Sequence, residues 1–227
     1  MVNFLKHPLF LISRMKLIIF DVDGTLEREE EINKVRFKAQ IKKISVKYGW
    51  SEEEAKKQYF NMKEKLGKKA VSSVNVATAF GFSRQEYFDT IDFVDPKNLV
   101  AAHDNCELVL KELKKKHKLV AYSNTPEKST NAALKFMKIL NYFDKVYTVD
   151  MFEESKPSTE NLIRILNDYK VKPKDAIMIG NSYEKDILPP KTIGMNAILF
   201  DPEKTHKKKS SEYKVISNLI ELVGFFK

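Results

Sequence analysis

The chain has 227 residues, of which 43% are hydrophobic and 31% are charged. These proportions are typical of a folded globular protein and argue against a disordered chain. The single cysteine, Cys106, excludes an internal disulfide and a metal site built from several cysteines. The composition therefore predicts a cytoplasmic protein with one substantial core, or one domain that carries a smaller inserted domain.

The formal net charge of +9 leaves nucleic acid, a membrane surface and anionic small molecules open as partners. Much of this charge lies in two lysine-rich runs, residues 111–118 and 206–214, and no aromatic interleaving marks a nucleic-acid platform. Residues 1–14 are too short an apolar stretch to span a bilayer and lack a small-residue cleavage site. We therefore expect neither a nucleic-acid partner nor a membrane partner.

Short apolar runs recur along the chain and are typical of buried parallel strands. Segments with a helical pattern lie between the first four of these runs, at residues 106–116, 128–140 and 159–169. This alternation predicts an α/β fold with a doubly wound, Rossmann-like parallel sheet. The predicted strands are residues 16–20, 118–122, 145–149, 176–180 and 196–200.

Residues 27–95 interrupt the alternation with four successive helical patterns, which Gly49, Gly67 and Gly81 punctuate. The sequence therefore predicts a discontinuous core domain, residues 1–26 and 96–227, with an all-helical domain inserted at residues 27–95. We call this stretch the helical insert.

Polar and charged side chains follow the predicted strands or precede the helix after them. Because ligands bind beyond the carboxyl ends of parallel strands, we expect these side chains to face one crevice. They are Asp21, Asp23, Ser123, Asn124, Lys156, Asn181 and Asp186.

Phosphoryl transfer through a covalent aspartyl-phosphate requires such a set of groups. A carboxylate attacks phosphorus when an ammonium and a metal ion reduce the charge repulsion, and a second acid protonates the departing alkoxide. A hydroxyl and main-chain N–H groups hold the non-bridging oxygens. Gly24 permits the sharp turn behind the two acids. Mg²⁺ takes hard oxygen ligands, so no histidine or cysteine is needed.

The motif DVDGT, a strand ending in Ser-Asn, Lys-Pro before a helix, and IGNSYEKDI occur in this order. Together they resemble the haloacid dehalogenase-like (HAD) hydrolase superfamily, and the helical insert resembles its C1-type cap. The resemblance implies the strand order 5-4-1-2-3, a mobile cap, Mg²⁺ as cofactor and hydrolysis of a small phosphorylated metabolite by a monomer or homodimer.

The resemblance also implies a role for each matching residue. Asp21 would be the nucleophile and a Mg²⁺ ligand, and Asp23 the general acid and base, with its carbonyl on the metal. Lys156 would neutralise charge between Asp21 and the phosphate. The transferred phosphoryl group would be bound by Ser123 and Asn124, and the metal also by Asn181 and Asp186. The family usually has aspartate where this chain has Asn181, which puts the metal affinity in question.

Other functions remain open beside the phosphatase. A 2-haloacid dehalogenase is disfavoured, because a leaving halide needs no proton and the reaction would not use Asp23 as a general acid. A phosphomutase would use the same residues and differ mainly in excluding water. A non-catalytic binding protein with a basic surface is supported by Asn181 and the net charge. Arg28 either contacts a second anionic group of the substrate or is solvated.

Overall fold

A computed structural model describes residues 15–67, 72–206 and 213–226. A six-stranded parallel sheet forms its centre, in the order β5-β4-β1-β6-β7-β8. A separate antiparallel ribbon pairs β2 with β3. The strands are β1 (Leu17–Phe20), β2 (Glu27–Arg28), β3 (Ala101–Ala102), β4 (Lys118–Tyr122), β5 (Lys145–Tyr147), β6 (Ala176–Gly180), β7 (Asn196–Phe200) and β8 (Lys214–Ile216).

The five predicted strands all form, and their order, 5-4-1-2-3, is confirmed when they are counted along the chain. The third of them ends at Tyr147, because Val149–Met151 forms a 3₁₀ turn. The sequence did not predict β8, which adds a sixth strand beside β7. Residues 1–14, and residues 207–212 of the second lysine-rich run, lie outside the described residues, so the expectations about them stay predictions.

Four helices occupy the helical insert, as the sequence predicts. Serine side chains at positions 51, 72 and 83 accept hydrogen bonds from main-chain N–H groups at the start of the second, third and fourth helices. The four pack around a buried cluster that includes Ile44, Tyr59 and Phe88, and Val149 joins this cluster from outside the insert. They are α1 (Glu30–Tyr48), α2 (Glu52–Lys65), α3 (Ser73–Ala79) and α4 (Arg84–Asp92).

The chain enters and leaves the insert through the β2–β3 ribbon, in which Glu27 lies opposite Ala102. After the ribbon, helices alternate with the strands of the central sheet. Lys138 adopts a φ of 61°, which an α-helix does not continue, so the helix predicted for residues 128–140 ends earlier, at Phe136. These helices are α5 (Cys106–Lys114), α6 (Glu127–Phe136), α7 (Thr159–Asp168), α8 (Leu188–Thr192) and α9 (Glu221–Phe225).

Both faces of the central sheet are covered by apolar side chains. Ile18 belongs to one buried cluster with Leu110 of α5, and Ile19 belongs to a second cluster with Ile165 of α7. Successive side chains of a strand point to opposite faces, so β1 is apolar throughout. Burying each such side chain contributes about 1.5–3 kcal/mol, which fixes β1 in the middle of the sheet. In the described ranges, no helix combines the length and apolar character that crossing a membrane requires.

His117 is buried just before β4. Its Nδ1 lies 2.6 Å from the carbonyl oxygen of Met15, and its ring meets that of Phe226 edge to face at a centroid distance of 5.2 Å. Because a carbonyl only accepts, Nδ1 carries the proton and donates. Burial lowers the pKa of His117 below its ordinary value, so the folded state resists protonation.

We expect this histidine to make the fold sensitive to acid. Below the ordinary histidine pKa the unfolded chain binds a proton that folded His117 does not bind, so stability falls as pH decreases from about 7 to 5. His117→Asn keeps a donor near Met15 but does not titrate. Urea unfolding at both pH values measures the effect: the free energy of unfolding should fall more for the wild type than for the variant. Equal losses in the two proteins would contradict the assignment.

Candidate active site

Asp21 lies buried at the carboxyl end of β1. Its main-chain N–H donates to the carbonyl of Ile179 at 2.8 Å, which continues the β1–β6 pairing by one residue. Its carboxylate accepts a hydrogen bond from Thr25 Oγ1 at 3.0 Å and forms an ion pair with Lys156. The predicted nucleophile is therefore held both by the sheet and by side-chain contacts.

Lys156 joins two carboxylates in the interior. The residue is only 3% exposed, and its Nζ contacts Asp21, donates to Asp186 Oδ1 at 3.0 Å and donates to the carbonyl of Tyr122 at 3.1 Å. Burial lowers the pKa of Lys156, but the charges of Asp186 and Asp21 raise it by more than burial lowers it. The pKa therefore lies above its ordinary value, and the ammonium keeps its charge. Burial and the charge of Asp186 raise the pKa of Asp21 to about 8, against the opposing effect of Lys156.

Asp186 reaches Lys156 from a π-helical turn, Tyr183–Ile187, that follows β6. The N–H of Ser182 donates to Asp186 Oδ2 at 3.0 Å. Gly180 makes room for this side chain, because a Cβ at position 180 would lie 2.4 Å from both Cβ and Cγ of Asp186. The glycine at the end of β6 thus allows the carboxylate to fold back toward the sheet.

Asn181 occupies a different place from Asp186. It is exposed and lies against the turn after Asp23, where a Cβ on Gly24 would meet its Nδ2 at 2.0 Å. Gly24 has a φ of 79°, a left-handed conformation that strains other residues. The fourth motif therefore contributes two distinct groups, an exposed amide beside the first motif and a buried carboxylate beside Lys156.

The carboxylate of Asp23 accepts three side-chain hydrogen bonds. Ser123 Oγ donates to Oδ2 at 2.6 Å, while Thr125 Oγ1 and Arg36 Nη1 each donate to Oδ1 at 3.0 Å. Burial raises the pKa of Asp23, but Arg36 and then the two hydroxyls outweigh it, and the pKa lies below its ordinary value. Asp23 is therefore ionised at neutral pH in this conformation.

Ser123 and Asn124, both predicted to bind the phosphoryl group, make different contacts. Ser123 Oγ donates to Asp23 and accepts from the N–H of Thr125 at 2.8 Å. Asn124 Oδ1 accepts from the N–H of Lys156 at 2.6 Å, and its Nδ2 donates to the carbonyl of Lys156 at 3.0 Å. The side chain of Asn124 thus positions the main chain that carries the ammonium.

Sequence reasoning missed Arg36 and Glu27. Arg36 is buried in α1. Lysines surround it in the sequence, and this pattern is typical of a solvent-exposed helix face. Arg28, the basic residue singled out instead, is half-exposed and pairs with Asp104 at 2.8 Å. Glu27 is buried beside Asp23, and its two carboxyl oxygens have no hydrogen-bond partner among the described residues. Burial and Asp23 raise the pKa of Glu27 to about 9, so it is neutral at pH 7.

The donor set fits Mg²⁺. Asp21 and Asp186 offer carboxylate oxygens, Asp23 a carbonyl and Asn181 an amide oxygen, all of them hard ligands. Histidine, cysteine, aspartate and glutamate side chains alone form no metal-holding group of three or more in the described ranges, so amide, main-chain and water oxygens would complete the shell. Asp21 and Asp186 share the one ammonium of Lys156, and a cation bound beside them would lower the pKa of Asp21 from about 8 and favour its ionised carboxylate.

Residues 18–200 match the family model described as haloacid dehalogenase-like hydrolase. The chain belongs to this family. The predictions of a HAD-like hydrolase and of a Rossmann-like core are thereby confirmed. The individual roles of the site residues stay predictions.

Similar proteins carry phosphatase names. A glyceraldehyde 3-phosphate phosphatase of Methanothermobacter thermautotrophicus is 27% identical over 202 residues, which cover 86% of this chain and 89% of that protein. A putative pyrophosphatase PpaX of Clostridium perfringens is 26% identical over 187 residues, which cover 79% of this chain and 81% of that protein. The crystal structure of a HAD phosphatase from Thermococcus onnurineus superimposes with a TM-score of 0.70 at 25% identity, covering 92% and 96% of the two chains.

The close approach at Gly180 gives a test of the site's packing. Gly180→Ala forces Asp186 away from its position, because a Cβ cannot lie 2.4 Å from another carbon. We expect a loss of about 1–3 kcal/mol in the free energy of unfolding, as for other overpacked sites. Gly224→Ala in α9 is the matched control, since a Cβ there meets no atom within 4 Å. Equal stability of the two variants in denaturant unfolding would contradict the packing.

Proposed function

We propose that the chain is a Mg²⁺-dependent phosphatase that hydrolyses a small phosphomonoester through a covalent phosphate on Asp21. The observation that carries the proposal is the buried contact of Lys156 with both Asp21 and Asp186 at the carboxyl edge of the sheet. The phosphatase names of the relatives support the same reaction class.

In the first step, an oxygen of Asp21 forms a bond to phosphorus while the bond from phosphorus to the leaving oxygen breaks. Lys156 holds the attacking carboxylate in place and offsets its repulsion from the phosphate. Asp21, Asp186, Asn181 and the Asp23 carbonyl would hold the metal. When bound, Mg²⁺ supplies positive charge to the attacking carboxylate and to the phosphate oxygens.

Asp23 transfers the protons in this scheme. Its carboxylic acid gives a proton to the leaving alkoxide. It then takes a proton from the water that attacks phosphorus and breaks the bond to Asp21, which releases inorganic phosphate. The ionised form of Asp23, stabilised here by three hydrogen bonds, suits the second step.

Substrate binding would prepare Asp23 for the first step. Ser123, the residue proposed to bind the phosphoryl group, now donates to Asp23. When its hydroxyl turns to a phosphate oxygen, Asp23 loses one donor and gains a negatively charged neighbour. Both changes raise the pKa of a carboxyl group and favour its protonated form.

We propose that the helical insert, residues 27–95, is a cap over the core formed by residues 1–26 and 96–227. Polar contacts that join the two support a position of the insert over the core, among them Arg36 with Asp23, the Oγ atoms of Ser72 and Ser155 at 2.7 Å, and Arg84 with the carbonyl of Val149 at 2.8 Å. A cap that moves on the narrow β2–β3 ribbon would admit the substrate and then exclude bulk water.

A cytoplasmic enzyme that acts as a monomer or homodimer, without nucleic acid or membrane, remains part of the proposal. The first lysine-rich run supports the part of this proposal that concerns nucleic acid, because Nζ of Lys114 and Nζ of Lys118 lie 2.6 and 3.2 Å from carboxylate oxygens of Asp144. These lysines thus pair within the chain, and charge in the run is partly balanced.

Asp21→Asn tests the reaction class. An amide cannot attack phosphorus, yet it has nearly the same shape, so the variant should fold and lose about 10³-fold or more of its turnover. Release of nitrophenolate from para-nitrophenyl phosphate, with Mg²⁺ and with EDTA, is the measurement, alongside circular dichroism. Asp89→Asn in α4, the same substitution at an exposed site, should keep wild-type turnover. A folded Asp21→Asn variant with full turnover would remove Asp21 from the nucleophile role.

A second prediction concerns the metal ligands. We propose that Asn181 binds Mg²⁺ directly and Asp186 through water, because both oxygens of Asp186 already accept hydrogen bonds, from Lys156 and Ser182. Asn181→Asp adds a negative charge next to the metal and should tighten Mg²⁺ binding about tenfold or more.

Calorimetric titration with Mg²⁺ measures this affinity without turnover. Asn141→Asp, at an exposed residue before β5, makes the same charge change as a control and should leave the affinity unchanged. Asp186→Asn should weaken binding less than Asn181→Asp strengthens it. The reverse pattern, with binding abolished in Asp186→Asn and unchanged in Asn181→Asp, would assign the direct contact to Asp186.

A further inference from the structure

The ligands proposed for Mg²⁺ bring little negative charge that is not already shared. Asp21 and Asp186 share the ammonium of Lys156. Asp23 offers only a main-chain carbonyl, and the amide of Asn181 is uncharged. Because Mg²⁺ is held by carboxylates together with neutral oxygens, a further carboxylate next to these groups would strengthen the site.

Glu29 lies beside the exposed amide of Asn181. A Cβ on Gly24 would lie 2.0 Å from Asn181 Nδ2 and 2.9 Å from Glu29 Oε1, so these two atoms are no farther apart than the two distances added together. Within the amide, the nitrogen is the atom nearest to this point. Because a carboxylate accepts and an amide nitrogen donates, Glu29 favours the orientation that leaves the amide oxygen for a metal ion.

The carboxylate of Glu29 is held in place, but not by a cation. Asn33 Nδ2, one turn further along α1, donates to Oε2 at 2.8 Å. No lysine or arginine side chain of the described residues lies within ion-pair distance of Glu29. Burial and the negative charge of Asp23 raise the pKa of Glu29, and the charges of Lys185 and Arg36 lower it by less. What Glu29 lacks is a positive charge in contact with it.

The same carboxylate is accessible to an ion. Glu29 is half-buried, and it lines a cavity of about 330 Å³ together with Asp23 and Lys185. Glu29 also belongs to the helical insert, whereas the other groups proposed to hold the metal belong to the core. A cation that enters the cavity can therefore meet negative charge from both parts of the chain.

We propose that Glu29 supplies, next to Asn181, the negative charge that the amide does not carry, and that the helical insert thereby completes the Mg²⁺ site. This inference rests on the proposed function, because it concerns the metal ion of the same site. Glu29 is a positioning residue in this scheme and does not touch the substrate. Its charge raises the affinity for Mg²⁺, and its oxygen orients the amide of Asn181.

Glu29→Gln keeps the shape of the side chain and an oxygen for Asn33, but it removes the charge. Calorimetric titration with Mg²⁺ should show binding weakened about tenfold or more, as for other groups that support metal ligands. A carboxylate at the start of a helix also stabilises the helix dipole, and the exposed Glu30 in the first turn of α1 shares this effect. Glu30→Gln is therefore the matched control and should keep the wild-type affinity.

A double variant tests the charge itself. Asn181→Asp in the Glu29→Gln background restores a carboxylate at the site and should return the Mg²⁺ affinity to about the wild-type value. A purely structural role of Glu29 would not be rescued in this way. If circular dichroism shows that Glu29→Gln does not fold, Glu29→Ser replaces it, because serine is favoured at the residue that precedes a helix.

Three outcomes would overturn the role of Glu29 and leave the proposed function standing, provided that nitrophenolate release still depends on Mg²⁺. They are an unchanged affinity in Glu29→Gln, an equal loss in Glu30→Gln, and a loss that Asn181→Asp does not restore. If the wild type itself binds no Mg²⁺, the role of Glu29 and the proposed metal dependence fail together. Turnover of para-nitrophenyl phosphate in EDTA then shows whether the phosphatase activity remains.

Discussion

The site depends on one buried ammonium that two carboxylates share. Removing one partner of a buried ion pair leaves an uncompensated charge and costs about 3–5 kcal/mol, so Lys156, Asp21 and Asp186 hold one another in place. Neighbouring residues position the groups that make this contact. Asn124 fixes the main chain of Lys156, and Gly180 makes room for Asp186. The pairing of β1 with β6 brings Asp21 to the edge of the sheet from which the turn with Asp186 begins.

Arg36 links the helical insert to Asp23, the residue that we propose transfers the protons. It comes from α1, yet it is the strongest of the groups that keep the pKa of Asp23 low. If the insert moves as a cap, this contact lengthens when the cap opens, and the pKa of Asp23 rises with it. Opening of the cap and protonation of Asp23 would then favour each other. Ser123 would add a second control if, as we propose, its hydroxyl turns from Asp23 to the phosphoryl group.

The sheet and the motif residues were predictable because their causes are local in sequence. Strands covered on both faces are apolar throughout, and a group that follows such a strand must lie at its carboxyl end, as Asp21 does. Arg36 and Glu27 were not predictable in this way. Arg36 lies within a lysine-rich helix with little segregation of apolar residues, and only the packing of α1 over the sheet brings it to Asp23. Strand β8 follows a polar run and has one buried residue, Ile216.

Four carboxyl groups with two cations near them, Lys156 and Arg36, would destabilise the fold if all four were ionised without further partners. The structure avoids this in three ways. Asp21 and Asp186 share the ammonium of Lys156. Arg36 and two hydroxyls stabilise the ionised form of Asp23. Glu27 keeps its proton because burial and Asp23 raise its pKa to about 9.

Neighbouring carboxyl groups are therefore held in different protonation states, which is how environment separates acid and base roles in one site. Asp21 and Asp186 share one ammonium beside the exposed amide of Asn181, and the pKa of Asp21, about 8, keeps that carboxyl largely protonated at pH 7. That is where a divalent cation would complete the charge balance of the reaction we propose.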